Sequence, residues 1–323
     1  MPPRRPIPTS TAFSIRKIDI LNELKRFDSD PIIKDRILRL ETGFRTRITS
    51  HIAALPLDSA AFKAFNTNPF VLMAYCKNKS YSRISQIEKD IVPAKLFSSM
   101  ETSAGRMVED IALPIYGWGG VPSGMHSSNS ALDGLKIDGN LLRLATLKSG
   151  PRCLNDEMSE NFADQILSHF KTWADTSSCV KIDFTYGVLY GTQKISNKKD
   201  WHILRNVKEK LSGGVMTVSP DGRWDCAFTK SGIDVTVSIR IGKDWWAHLG
   251  QHPSTYLEIC IALIRSCVSL GEADPPQFGY TICDLAAIVS TASVPAGYNV
   301  ALLHEEQLPW LFFLARHFCD EIS

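Results

Sequence analysis

The stretch ALDGLKIDGNLLRLATLKSGPRCLND, residues 131–156, constrains the fold more than any other part of the chain. Asp138-Gly139 is a two-residue hairpin signal, since the tightest β-turns need positive φ at their centre and the flanking LDGLKI and LLRLATLK are strand-like. With those two residues as the turn, Ile137 pairs with Asn140 and Asp133 falls opposite Leu144. Side chains alternate faces along a strand, so Asp133, Leu144, Thr146 and Lys148 point to one side. The Asp133 carboxylate then lies diagonal to Thr146, about 7 Å away, and the long Lys148 side chain leans toward the same point. One acid and one amine converge at a sheet edge.

Around this hairpin the apolar periodicity is helical, then strand-like, then helical again. From Ser14 to about Lys95, runs such as IRKIDILNELKRF and PIIKDRILRLETGFRTRITSHIAAL repeat at helical spacing. SSMETSAGRMVEDIALPIYGW predicts a further helix with Met107, Val108 and Ile111 on one side, ending near Pro114. DEMSENFADQILSHFKTWAD is amphipathic and precedes the β-like CVKIDFTYGVLYG. GRWDCAFTKSGIDVTVSIRIG reads as an antiparallel pair, and STYLEICIALIRSCVSL and LPWLFFLARHFCDEI as packed helices. The class is mixed α/β, with a central sheet starting near residue 130.

Composition excludes several alternatives. The 323 residues are 44% apolar and 22% charged, enough for a sizeable core. MPPRRPIPTS has no apolar stretch after its arginines and reads as a flexible basic tail, not a signal peptide. No apolar run approaches the roughly 18 residues that span a bilayer. Eight cysteines lie scattered without a C-x-x-C pair, which suggests neither zinc nor a disulfide framework and fits a reducing cytoplasm. A net charge of +2 gives little global attraction to nucleic acid, so any such binding must come from local patches.

The Asp133–Lys148 arrangement suits metal-dependent phosphodiester hydrolysis. A carboxylate can hold Mg²⁺, a hard cation that prefers oxygen ligands, and an ammonium nearby can orient the attacking water and balance developing charge. A second reading stands beside it: Asp133 as a strand-end turn residue and Lys148 as a solvated strand terminus.

An aspartate followed by a strand ending in x-x-Lys is the pattern of the PD-(D/E)XK nucleases. NTNPFVLMAY, SAGRMVEDIALP, HSSNSALD, LATLKSG, GVLYGTQKISNKKDWHIL and GKDWWAHLG occur in an order and spacing that resemble type II restriction endonucleases cutting interrupted RGGNCCY-type sites. The resemblance covers roughly residues 65–270. It implies a PD-(D/E)XK core over 66–274, with a central mixed sheet flanked by helices. A helical N-terminal region, 1–65, and a C-terminal helical extension, 275–323, would lie outside that core. It implies that Asp133 is the first metal-binding acid and Lys148 the catalytic lysine. The motif departs from the pattern at Thr146, where the second acid belongs. Glu109, on the helix before the hairpin, and Glu160, on the helix after Lys148, are the candidates for the missing ligand, and Glu109 matches an acid of the relatives.

The same resemblance implies a bacterial, cytoplasmic enzyme of a restriction–modification system. It would cut double-stranded DNA with Mg²⁺, leave 5′-phosphates and act as a homodimer on a palindromic, GC-rich site. Arg152 and Asn155 follow the catalytic strand, where arginine can read guanine and asparagine adenine; both could equally be loop and helix-cap residues. Lys194, Lys198 and Lys199 in KISNKKDW, and the run KNKSYSR, would suit phosphate contacts or simply solvated surface. His126 lies near the predicted scissile region or is a structural loop residue, and Trp245 and Trp246 are core anchors of a capped helix. The alternatives are a repair or recombination nuclease on the same fold and a non-catalytic DNA-binding protein with a degenerate nuclease fold.

Overall fold

The computed structural model describes residues 12–54, 69–83, 86, 90, 94, 105–125, 132–211, 215–218, 224–268, 295 and 297–323. The first elements are β1 (Ser14–Ile15), α1 (Lys17–Ser29), α2 (Pro31–Ala54) and α3 (Pro69–Asn78). The hairpin follows as β2 (Gly134–Asp138) and β3 (Leu141–Lys148), then α4 (Asp156–Ser177), β4 (Lys181–Val188) and α5 (Lys199–Lys210). Next come β5 (Val215–Val218), β6 (Trp224–Lys230), β7 (Ile233–Ile241), α6 (Lys243–Gly250), α7 (Thr255–Cys267), α8 (Leu308–Ala315) and β8 (Glu321–Ile322).

Six strands form one mixed sheet in the order β2-β3-β4-β7-β6-β5. Its centre, β3, β4 and β7, is parallel, and the hairpin partners β2 and β6 run antiparallel to it, as does β5 to β6. A parallel pair needs a long crossover, and α4 supplies it between β3 and β4. That crossover covers one face of the sheet and the helices after β7 cover the other, which is why β4 is buried along nearly its whole length.

Alternation along the strands sorts the core into two layers. Leu142 and Leu144 of β3 and Ile182, Phe184, Tyr186 and Val188 of β4 pack under α4 and α5. Ala145 and Leu147 face the other way, into a cluster with Trp245, Trp246, α7 and the apolar sides of α1, α2 and α8. Gly187 makes the second layer possible, because a Cβ there would stand 2.7 Å from the Trp245 ring. Each fully buried side chain of this size contributes about 1.5–3 kcal/mol, so the two tryptophans anchor α6 to the sheet as expected. β1 and β8 pair in parallel and join the two ends of the described chain.

Two expectations need correcting. The hairpin turn is Gly139-Asn140, not Asp138-Gly139: Asp138 pairs with Leu141, and Leu135, not Asp133, lies opposite Leu144. Only Gly139 takes positive φ, +63°, as the first position of a type II′ connection requires. Asp138 stays extended, and its carboxylate accepts a 2.8 Å hydrogen bond from Arg143 Nε. The shift is two residues, so every side chain keeps its predicted face. Near residue 110 the chain is also not a simple α-helix. Val108–Ala112 forms a π-helical turn that continues through Leu113–Ile115 and ends, as expected, near Pro114.

Candidate active site

Carrying the corrected register one residue beyond β2 sets Asp133 against Thr146, closer to Lys148 than the predicted diagonal. The Asp133 amide donates to the Ala145 carbonyl at 2.8 Å. Its Oδ2 accepts from the Leu147 amide at 2.6 Å, so the carboxylate is fastened to β3 one residue before Lys148. Thr146 is fully buried. The Lys148 ammonium sits 5.8 Å from the centroid of the Phe162 ring on α4.

Glu109 reaches this corner from another element. The segment that carries it lies directly on the hairpin, since a Cβ at Gly134 would stand 2.9 Å from Leu113 Cδ1. Reciprocal hydrogen bonds between Gly119 and Leu135, 2.7 and 3.0 Å, stitch the same segment to β2. Burial raises the Glu109 carboxyl above the usual carboxylate range, and the negative charges of Asp133 and Asp110 push it further, while Lys148 and Arg106 oppose the rise. Such effects fade with distance, so Glu109, Asp133 and Lys148 share one electrostatic neighbourhood. Glu160 belongs elsewhere: it is exposed on α4 and accepts from Lys210 of α5 at 3.2 Å.

The donor set fits a divalent cation. The carboxylates of Asp133 and Glu109, with the buried Thr146 hydroxyl on β3, are oxygen donors of the kind Mg²⁺ takes, which commonly uses one or two protein carboxylates and keeps several waters. Among the described residues there is no cluster of three His, Cys, Asp or Glu suited to a metal, so the set is a lean one, to be completed by water and substrate.

The predicted DNA-side residues gather on two loops that follow the adjacent strands β3 and β4. Arg152 Nε donates to the Ile195 carbonyl at 3.0 Å, and the Asn197 side chain donates to the Leu154 carbonyl at 2.9 Å. A Cβ at Gly191, whose φ is +103°, would stand 2.7 Å from Pro151, so the two loops touch. Asn155 caps α4 by accepting from the Met158 amide at 2.8 Å. Lys199 pairs with Asp156 at 2.5 Å, Lys198 lies 5.5 Å from the Trp224 ring centroid, and Lys194 is exposed. His126 falls outside the described residues. A concavity of about 610 Å³ opens on the far face of the sheet, lined by Arg143, Asp183, Arg240 and His248 among others. It shares no residue with the Glu109–Asp133–Lys148 corner, and a duplex needs an open edge more than an enclosed pocket.

Local sequence reasoning missed Gly134 and the π turn. Gly134 gave a signal, a glycine in a strand where another backbone element approaches closely. The π turn left none.

A family model described as type II restriction endonuclease EcoO109I matches residues 38–265, well over half of the chain. The chain belongs to that family. The enzyme is therefore a site-specific deoxyribonuclease of a restriction–modification system, which sets aside the repair-nuclease and non-catalytic alternatives. No curated protein matches it. Among the described residues no helix is long and apolar enough to cross a membrane.

Proposed function

We propose that Glu109, Asp133 and Lys148 form the catalytic centre of a PD-(D/E)XK core, that Mg²⁺ is its metal, and that hydrolysis leaves 5′-phosphates. The observation that carries this reading is the Asp133 carboxylate, fastened to the Leu147 amide at 2.6 Å one residue before Lys148, with the segment that bears Glu109 packed on the same hairpin. Asp133 and Glu109 would hold the cation; Glu160, paired with Lys210, is the weaker candidate. When bound, Mg²⁺ supplies positive charge at the scissile phosphoryl group and makes water more acidic. Lys148 orients the attacking water and balances the charge that builds on the phosphate. Asp133, fixed by the Leu147 amide, keeps its position without substrate, the preorganisation that electrostatic catalysis depends on.

Recognition belongs to the loops beyond β3 and β4. Arg152 presents its guanidinium beside the strand that ends in Lys148, one backbone bond holding Nε and leaving the rest of the fork for a base or a phosphate. Lys194, Lys198 and Lys199 would meet the DNA backbone, and Asn155, already committed as a cap, would contribute through its amide nitrogen. A homodimer acting on a palindromic, GC-rich site is the simplest way to cut both strands symmetrically. Digestion of plasmid DNA with purified enzyme, with Mg²⁺ or with EDTA, tests the reading. Discrete fragments with ligatable 5′-phosphate ends, formed only with the metal, are expected. Metal-independent cleavage, or ends that need a kinase before ligation, would overturn it.

A further inference from the structure

The turn that carries Glu109 is held from a second side, by the N-terminal helix α2. Gly43 lies in the interior of that 24-residue helix, where glycine costs about 0.8–1 kcal/mol relative to alanine. The contact explains the cost: a Cβ at Gly43 would stand 2.5 Å from Ile111 Cγ2. Ile111 is β-branched and stiff at χ1, so it cannot yield without moving the π turn it belongs to. One helical turn further on, Arg47 pairs with Asp110 at 3.2 Å. Asp110 and Ile111 are the two residues that follow Glu109. A third tie lies beyond the turn, where the Tyr116 hydroxyl donates at 3.1 Å to Glu258, and Glu258 is also held by Arg36 of α2 at 2.5 and 2.6 Å.

We propose that Gly43 and Arg47 of α2 are positioning residues that set Glu109 against Asp133 and Lys148. The proposal rests on the reading of Glu109 as a metal-binding acid. Gly43 fixes how closely the turn approaches α2. Arg47 offsets the Asp110 charge and fixes the turn's rotation. An exposed ion pair such as Arg47–Asp110 contributes little to stability, so its role is not one of holding the fold together, while Gly43→Ala gains helix propensity and must displace Ile111 to fit.

The test uses the full chain and four variants: Gly43→Ala, Arg47→Glu, the swap Arg47→Glu with Asp110→Arg, and Glu109→Ala as reference. Mn²⁺ binding to DNA-free protein is followed by the electron paramagnetic resonance of the unbound ion, beside thermal melting and plasmid cleavage. Gly43→Ala and Arg47→Glu are expected to raise the Mn²⁺ half-saturation about 10-fold or more, the scale on which residues supporting metal ligands act, with Arg47→Glu melting close to wild type. The swap is expected to recover most of that loss. If Glu109→Ala loses Mn²⁺ while Gly43→Ala and Arg47→Glu keep wild-type binding, the positioning role is wrong and Glu109 stands. If Glu109→Ala binds Mn²⁺ as wild type does, the reading of Glu109 falls and the positioning role with it. Should Gly43→Ala fail to fold, the swap still decides, because loss without recovery overturns the Arg47–Asp110 contact as a positioning device.

Discussion

The proposed catalytic corner and the loop side of this enzyme handle charge in opposite ways. At the corner, burial and the neighbouring charges of Asp133 and Asp110 hold the Glu109 carboxyl above the usual carboxylate range, and folding leaves that cost in place. On the loops, Asn155 is spent as a helix cap, Lys199 is matched by Asp156, and Lys198 rests over Trp224. Folding alone would favour the second arrangement everywhere, so opposed charge that persists marks the place where something else is to be bound. Matched charge marks surface that can meet DNA by exchanging one partner for another.

The sharpest way to break this contrast is to remove the opposed groups. Asp133→Ala and Lys148→Ala are each expected to lower the cleavage rate about 10²–10⁴-fold, the range for a lost acid–base or electrostatic group, while the protein still folds. Wild-type-like digestion by either variant would remove the active-site assignment. Next in size is the comparison of the two candidate acids. Glu109→Ala is expected to lose about 100-fold or more, while Glu160→Ala gives up only a surface pair worth about 0–1 kcal/mol and cuts nearly as wild type. The reverse ranking, read from plasmid digests over a range of Mg²⁺, would move the second acid to α4.

On the loop side the effect is smaller and falls on binding. If Arg152 reads guanine, Arg152→Ala loses about 1–3 kcal/mol of discrimination at one base pair per half-site. If it meets only phosphate, affinity falls equally for cognate and random duplex and the salt slope shrinks by about 1. Titrations at two salt concentrations separate the two. The smallest expected effect is on stability. Folding raises the pKa of Glu109, so the native state holds that proton more tightly than the unfolded chain, and stability is lost as pH rises through the raised native value. Glu109→Gln removes the charge and should therefore melt above wild type near pH 8 in EDTA, with the gap closing below the carboxylate range. Equal melting at pH 8 would mean that the charge at this corner is not opposed.

Much of the fold was legible because its signals are local. The hairpin, the amphipathic α4 with Asn155 at its start, the β6–β7 pair and the Trp245-Trp246 anchor all follow from patterns a few residues long. The hairpin register was misread by two positions because Asp138 and Gly139 were both assigned to the turn, whereas glycine alone satisfies the positive φ and Asp138 does better bonded to Arg143 across the strands. The convergence of Asp133 and Lys148 follows from strand alternation, and Glu109 was proposed beside them from resemblance. How the segment of Glu109 packs on the hairpin was not readable, since it depends on Gly134 and on a π turn whose register no periodicity encodes. Arg47 and Gly43 lie more than sixty positions from Glu109, and a contact that crosses from one element to another leaves no mark in the spacing of either.

The pairing of β1 with β8 carries a consequence for the order in which the molecule can be completed. The inward sides of α1 and α2, with Ile20, Leu24, Phe27, Ile37 and Phe44, share their cluster with residues of α7 and α8. At synthesis rates of about 5–20 residues per second, α1 and α2 wait on the order of tens of seconds for α8. The loop that braces Arg152 waits about half as long, because the Gly191 amide bonds the His317 carbonyl at 2.7 Å and the Thr192 hydroxyl bonds Asp320 at 2.6 Å. A nascent chain can therefore hold a finished β-sheet, with Asp133 and Lys148 in place, while the surface that would meet DNA is still unbraced.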